Sequence, residues 1–225
     1  MLDPIIQWVG GKKRILPIIS YLLPLSYNSL SEIFLGGACL TLSISPSNCY
    51  LIELNQNIFN IYYHTKHDPH FLISNLQSLE STYLHILDIE KRKLFYLQKR
   101  TQFNILPSSP LKTSILLFLN KTCFNGLWRV NRKGEFNVPL GRSSNNSKRT
   151  IIQKERLVAF QTSTSGIIFK CNSWNKTIEL AKEGDLVYVD PPYLPINEGE
   201  YVFTDYDKSG FSLEEHKKLA KACIN

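Results

Sequence analysis

Asp190-Pro191-Pro192-Tyr193 is the segment of this sequence best equipped for chemistry. An exocyclic amine on an aromatic ring is a poor nucleophile, because its lone pair is delocalised into the ring. Two acceptors on its hydrogens favour a pyramidal nitrogen with the lone pair freed, and the Asp190 carboxylate and Pro191 carbonyl can supply them. Consecutive prolines fix φ and remove backbone donors, which keeps the carbonyls aimed at the amine. Tyr193 adds a face on which a swung-out base can stack. By chance the same tetrapeptide is an ordinary turn. Its position after the apolar run Leu186-Val187-Tyr188-Val189 favours the chemical reading. No Pro-Cys pair is present for thiolate attack on a pyrimidine ring.

A second segment, Phe124 to Arg142, is dense in side chains that read a duplex. Arg129 can make a bidentate contact with guanine O6 and N7, and Leu127 and Pro139 can meet a thymine methyl. Phe124 can wedge into the stack where a base leaves, with Asn125 on the orphaned partner. Lys121, Arg132, Lys133 and Arg142 are candidate phosphate contacts, and Asn131 belongs to the same DNA-facing set. Packing of a hairpin core is the competing reading for Phe124, Leu127, Phe136 and Val138.

The charge distribution agrees. The net charge is +7, yet Lys91 to Lys154 holds 14 Lys and Arg against a single acid, Glu135. A polyanion partner accounts for that asymmetry, since basic side chains displace phosphate counterions; a solvated basic surface is the alternative. The apolar residues 15–25 are broken by Pro17 and Pro24, which argues against a secretory signal, and no run is long enough for a membrane span. Cysteines at 39, 49, 123, 171 and 223 show no metal or redox spacing, so reduced thiols in the cytoplasm and no metal are expected.

The elements that must position these groups alternate at both ends of the chain. Ser31–Phe34 reads as a strand running into a glycine turn, with a helix from Ala38. Cys49–Glu53 reads as the next strand, and Asn55 caps a helix to about His64. Residues 71–120 carry helical spacing, and 129–138 suggest a hairpin turning at Arg132-Lys133-Gly134. Residues 142–150 read as an exposed loop. A helix, strand Ile167–Lys170, a helix from Trp174, strand Leu186–Asp190 and a helix from Ser212 complete the pattern. Such alternation predicts a doubly wound α/β sheet, whose ligands bind beyond the carboxyl ends of the strands. Gly36, Glu53 and Asp190 all fall there.

Phe34-Leu35-Gly36-Gly37 lets backbone approach a ligand, and Glu53 can accept ribose hydroxyl hydrogens. Alone, this pattern suits NAD, another nucleotide or a plain tight turn. Trp8-Val9-Gly10-Gly11-Lys12 adds flexible backbone and an ammonium, or is simply a surface loop.

Together these motifs resemble the Dam-type (D12 class) DNA adenine-N6 methyltransferases. Those enzymes carry a W/Y-x-GGK segment, an F-x-G-G-type turn and an acidic residue followed by x-Asn. Here these are Trp8 to Lys12, Phe34 to Gly37, and Glu53-Leu54-Asn55. Residues Asn120 to Gly141 match the family's N-R-x-x-[FY]-N-G-L-x-R-[YFV]-N-x-x-G-x-F-N-V-P-[FY]-G, with Lys121 for Arg. The likeness extends through Phe203-Thr204-Asp205-Tyr206 and Gly210-Phe211. It departs at Ile33 (commonly Pro), Ala38 (a third glycine), Glu53 (commonly Asp) and Gln7, where some members have a base-contacting Lys.

The resemblance implies a Rossmann-like S-adenosylmethionine-dependent methyltransferase sheet with an inserted, mostly helical DNA-recognition domain containing a β-hairpin. Residues 1–57 and 150–225 would form the catalytic domain and 58–149 the recognition domain. S-adenosylmethionine is the implied cofactor, with Lys12 beside its methionine end, Glu53 at the ribose and Trp174 near the adenine; Trp8, Phe34, Gly36, Gly37 and Asp190 complete that set. Duplex DNA is the implied partner, GATC the implied site, and the protein is expected to be a monomer or weak dimer. The family continues beyond the position of Asn225, so the C-terminal strands of the sheet are expected to be missing and Leu186–Asp190 to form its edge. A catalytically weak DNA-binding relative is the alternative; methylation of RNA or protein is more remote.

Overall fold

The structure, a computed structural model, describes residues 2–44, 48–141, 150–193 and 211–224. Four short strands, β1 (Leu30–Ile33), β2 (Cys49–Glu53), β3 (Ile167–Cys171) and β4 (Leu186–Val189), form one parallel sheet in the order β3-β2-β1-β4. Leu30, Ile33, Leu51 and Ile52 are buried on the central pair, as expected of parallel strands covered on both faces. Edge strand β4 is only half-buried and, among the described residues, pairs with β1 alone. The register sets Ile33 beside Val189 on one side and Ile52 on the other. Phe34 and Asp190, the next residues along, therefore emerge side by side. The chain winds outward from β1 through β2 to β3 and then returns to the far side of β1. The switch point of the sheet thus lies between β1 and β4, where open α/β sheets place their ligand crevice.

Nine helices among the described residues complete the fold. Two short ones, α1 (Leu16–Leu22) and α2 (Cys39–Ile44), flank β1. Between β2 and β3 lie α3 (Gln56–His67), α4 (Pro69–His85), α5 (Ile89–Ile105), α6 (Pro110–Thr122) and α7 (Lys154–Ser163). Then come α8 (Trp174–Glu179) and α9 (Leu213–Ile224). Their starts are written locally. The Asn55 side chain accepts from the amides of Asn57 and Ile58. Asp68 and Ser109 cap α4 and α6, each with proline at the first helical position. Every residue of α6 from Thr113 to Thr122 is buried, with α3, α4 and α5 packed around it.

The apolar spacing over 71–120 resolves into α4, α5 and α6, and β2 has the expected bounds. The hairpin turns where the sequence suggests: Gly134 N–H donates to Asn131 O (2.8 Å) and Asn131 N–H to Glu135 O (2.9 Å). It is not a regular ladder, however, and only single antiparallel bridges join Val130 to Phe136 and Cys123 to Leu140. Its return limb is held instead by one face of α5. Tyr96 Oη donates to the Val138 carbonyl (2.8 Å), Arg100 to the carbonyls of Asn137 and Val138, and Asn104 exchanges two bonds with the Phe136 backbone. Those three side chains recur every four residues, which aligns them on one helix face. The expected loop at 142–150 lies, except for Thr150, outside the described residues, as do Arg142 and Phe203 to Gly210.

Candidate active site and nucleic-acid interface

At the switch point a cleft of about 180 Å³ opens between the ends of β1 and β4. Its wall collects Trp8, Gly10, Gly11 and Lys12 from the amino-terminal segment, Phe34, Gly36 and Gly37 from the turn after β1, and Asp190 to Tyr193 after β4. Three segments far apart in sequence thus meet as their motifs suggest. The turn after β1 needs an unusual backbone: Phe34, Gly36 and Ala38 all have positive φ (60°, 48° and 53°). At Gly36 a Cβ would lie 2.6 Å from the Trp8 indole nitrogen, so the indole packs directly against bare backbone. The buried Tyr62 hydroxyl donates to the Gly36 carbonyl and holds the turn from behind.

Lys12 is the central cation. Its ammonium donates to the Gly10 carbonyl (3.0 Å) and to Asp190 Oδ2 (2.5 Å), and lies 5.0 Å from the Tyr193 ring centroid. Burial is the largest single influence and opposes its charge, but Asp190 and Tyr193 together outweigh it and raise Lys12 above its ordinary pKa. Tyr193 is 56% exposed. The carbonyl of Pro192 accepts a hydrogen bond from His216 Nε2 (2.9 Å) on α9, and the His216 ring meets Phe211, which packs edge-on to Phe34. The tetrapeptide and the glycine turn are thereby braced from one side.

The cleft contains residues that the motifs did not announce. Glu32, on β1, is buried in its floor and accepts from the Thr41 amide (3.0 Å). Desolvation pushes its carboxyl up to about 7, against the pull of the Thr41 and Leu40 amides. The signal was an acid inside an apolar strand just before a glycine turn. Cys39 also lines the cleft, its thiol raised by burial. Trp128 reaches it from the recognition segment, steadied by Phe103 and Phe136.

Two expected cofactor residues stand outside this wall. Glu53 ends β2 but is 1% exposed, and its carboxylate accepts from the Asn55 amide (2.8 Å). Trp174 opens α8, half-buried, just beyond β3. Both lie at carboxyl ends of adjoining strands, tied by the bond from Asn172 N–H to the Glu53 carbonyl (3.2 Å).

On the recognition segment, Phe124 is 42% exposed and Asn125 is exposed with φ 53°, at the tip of a 3₁₀ turn spanning Phe124–Gly126. Pro139, Arg132 and Lys133 are exposed and Leu127 is half-buried. Arg129 is held in place: its Nε donates to Asn137 Oδ1 (2.7 Å) and Nη2 to the Asn137 carbonyl (3.3 Å). Asn131 organises the turn, accepting from Lys133 and Glu135 amides and donating to the Glu135 carboxylate. Phe136 and Val138 are buried, in accord with packing. Lys121 is only 9% exposed, its ammonium 3.5 Å from Gln153 Oε1, so it is not on the surface offered to phosphates. Its position on the buried Thr113–Thr122 stretch of α6 is the cause.

All five cysteines are free, and among the described residues no cluster of His, Cys, Asp and Glu could hold a metal ion. No described helix is long and apolar enough to cross a membrane.

A parallel α/β sheet with a crevice at its switch point, a glycine turn on one lip and Asp190 to Tyr193 on the other is the arrangement in which open α/β proteins hold their ligands. Residues 8–225 match the model of the D12 class N6 adenine-specific DNA methyltransferase family. The chain is 33% identical over 224 residues to the Type II methyltransferase M1.LlaDCHI of Lactococcus lactis subsp. cremoris, covering 97% of this chain and 75% of that protein. It is 34% identical over 232 residues to the Type II methyltransferase M.MjaIII of Methanocaldococcus jannaschii, covering 98% and 78%. It is 30% identical over 217 residues to the DNA adenine methylase of Haemophilus influenzae, covering 96% and 72%. This chain belongs to the D12 class of N6 adenine-specific DNA methyltransferases.

Proposed function

We propose that this enzyme methylates the N6 amine of an adenine swung out of duplex DNA, using S-adenosylmethionine, with GATC as its site. The observation that carries the reading is the convergence of Asp190, Pro191 and Tyr193 with Lys12 and the Gly36 turn in one cleft. The wall chemistry fits the cofactor. Bare glycine backbone and the Trp8 indole suit its apolar stem, and Lys12 suits a carboxylate. Glu53 and Trp174, at the adjoining strand ends, extend the site toward ribose and adenine; Glu53 is covered in this conformation, so its contact requires a side-chain shift.

When bound, S-adenosylmethionine supplies a methyl group on a cationic sulfonium. Everything else falls to the chain. Phe124 fills the gap left in the stack and Asn125 faces the orphaned base, while Tyr193 stacks on the flipped adenine. The Asp190 carboxylate and the Pro191 carbonyl each accept one amine hydrogen and expose the lone pair for in-line attack. Lys12 pairs with the Asp190 carboxylate until the amine takes its place. The amine proton leaves after or alongside attack. Residues 1–57 and 150–225 serve the cofactor and the chemistry, and 58–149 find the DNA. Leu127, Arg129 and Pro139 support GATC, and the basic surface supplies the salt-sensitive affinity.

The test is methyl transfer from labelled S-adenosylmethionine to duplexes containing GATC, GATATC or neither, with Asp190→Ala as control. Transfer to the GATC adenine, lost in Asp190→Ala, is expected. Duplex binding without transfer would indicate a DNA-binding relative instead.

A further inference from the structure

Gln7 and Asn120 are 113 residues apart in sequence, yet they meet through two hydrogen bonds, and a third from the same Asn120 side chain reaches Gly126. Asn120 Oδ1 accepts from the Gln7 amide (2.8 Å); Asn120 Nδ2 donates to the Gln7 carbonyl (2.9 Å) and to the Gly126 carbonyl (3.0 Å). The residue is 6% exposed, and both amide hydrogens are committed. Sterics reinforce the link. Gly126 has φ 64°, and a Cβ there would stand 2.4 Å from both Cβ and Oε1 of Gln7. The recognition turn therefore rests directly on the amino-terminal segment.

The two joined segments face different ligands. Gln7 immediately precedes Trp8, whose indole lies on Gly36 in the cleft. Gly126 closes the turn that exposes Phe124 and Asn125, and leads directly into Leu127, Trp128 and Arg129. A buried asparagine needed only to satisfy backbone groups would stabilise the fold and nothing more. Here all three of its partners sit where the cofactor segment and the base-reading segment join.

We propose that Asn120 is a positioning residue: its carboxamide fixes the base-reading turn relative to the cofactor segment, so that engagement of the correct site is transmitted to the Trp8 side of the cleft. The inference rests on the DNA-methylating reading above. Asparagine is required because aspartate keeps the acceptor for Gln7 N–H but loses both donors and faces two carbonyls.

The deciding measurement is a ratio that does not depend on how much enzyme is folded: kcat/KM for a GATC duplex divided by kcat/KM for the same duplex with AATC. Asn120→Asp is expected to lower this discrimination at least tenfold, and Gly126→Ala, which pushes the same turn away from Gln7, to do likewise. A merely structural role would lower both rates together, and a ratio within twofold of the parent in either folded variant overturns the proposal. Hydrogen exchange on the unaltered protein decides the matter even if neither variant folds. The Gln7 amide should exchange at least threefold more slowly with the GATC duplex than with AATC at equal saturation; equal rates would overturn the coupling. Absence of methyl transfer to any duplex by the parent would instead fail the functional reading, and the exchange comparison would still report on the Asn120 link.

Discussion

Gly36→Ala tests the construction of the cleft most directly. Two separate costs act there. The backbone has φ 48°, a left-handed conformation costing a non-glycine residue about 1–2 kcal/mol. The new Cβ would also lie 2.6 Å from the Trp8 indole nitrogen and 2.8 Å from its Cδ1, where non-bonded contacts prefer about 3.5–4.0 Å. The indole must retreat by roughly 1 Å, and overpacking of this kind costs about 1–3 kcal/mol. The expected loss is then about 2–5 kcal/mol, a fall in Tm of roughly 4–20 °C for a chain of this size. The retreating indole is a wall of the cleft, so S-adenosylmethionine binding by calorimetry should weaken about tenfold or more. In a Trp8→Ala background the clash is gone and only the φ cost of about 1–2 kcal/mol should remain. An equal cost of Gly36→Ala in both backgrounds would refute the steric argument. A loss below about 1 kcal/mol in the parent would refute the conformational one as well.

Glu32, raised from near 4.5 to about 7 by burial, makes stability depend on pH. Between those values the folded state binds more protons than the unfolded one, so stability falls as pH rises from about 4.5 to 7 and is flat above. Relative to Glu32→Gln, the parent should lose about 3 kcal/mol between pH 4 and 8 in denaturant titrations; parallel pH profiles would contradict this. Arg129→Lys removes the fork that Asn137 orients and should cut discrimination for guanine by about 1–3 kcal/mol, read as the GATC to AATC transfer ratio. Gly141→Ala would set a Cβ 2.7 Å from the Cys123 carbonyl oxygen, a backbone atom with no flexible end to yield. It should destabilise the protein by about 1–3 kcal/mol in a thermal melt.

The features legible in the sequence were those whose cause is local. Asn55 announces its helix because one side chain caps it, and Cys49–Glu53 is a strand because its apolar run is short and bounded. The glycine turn and the tetrapeptide after β4 were legible for the same reason, and parallel pairing then brings their strands' ends together. What sequence patterns concealed depends on distant partners. Tyr96, Arg100 and Asn104 look like the solvated face of α5, yet they grip the recognition limb. Lys121 looks like a phosphate contact until the Thr113–Thr122 stretch of α6 proves buried on every side. Asn120 carries no local signal of its bond to Gln7. Glu53 and Trp174 fall at the expected strand ends, but the cleft stops short of both.

The grip of α5 on the recognition limb bears on how such an enzyme changes its taste in DNA. Tyr96, Arg100 and Asn104 hold carbonyls and an amide of residues 136–138, never their side chains. The seat is therefore indifferent to the letters the neighbouring loop displays. On the function proposed above, substitutions at Leu127 or Pro139 would alter the message while these backbone bonds stay in place, whereas Arg129 also holds Asn137. On that same reading, drift in sequence preference would come at little risk to folding, and the separation would give a designer a fixed frame on which to write new specificities.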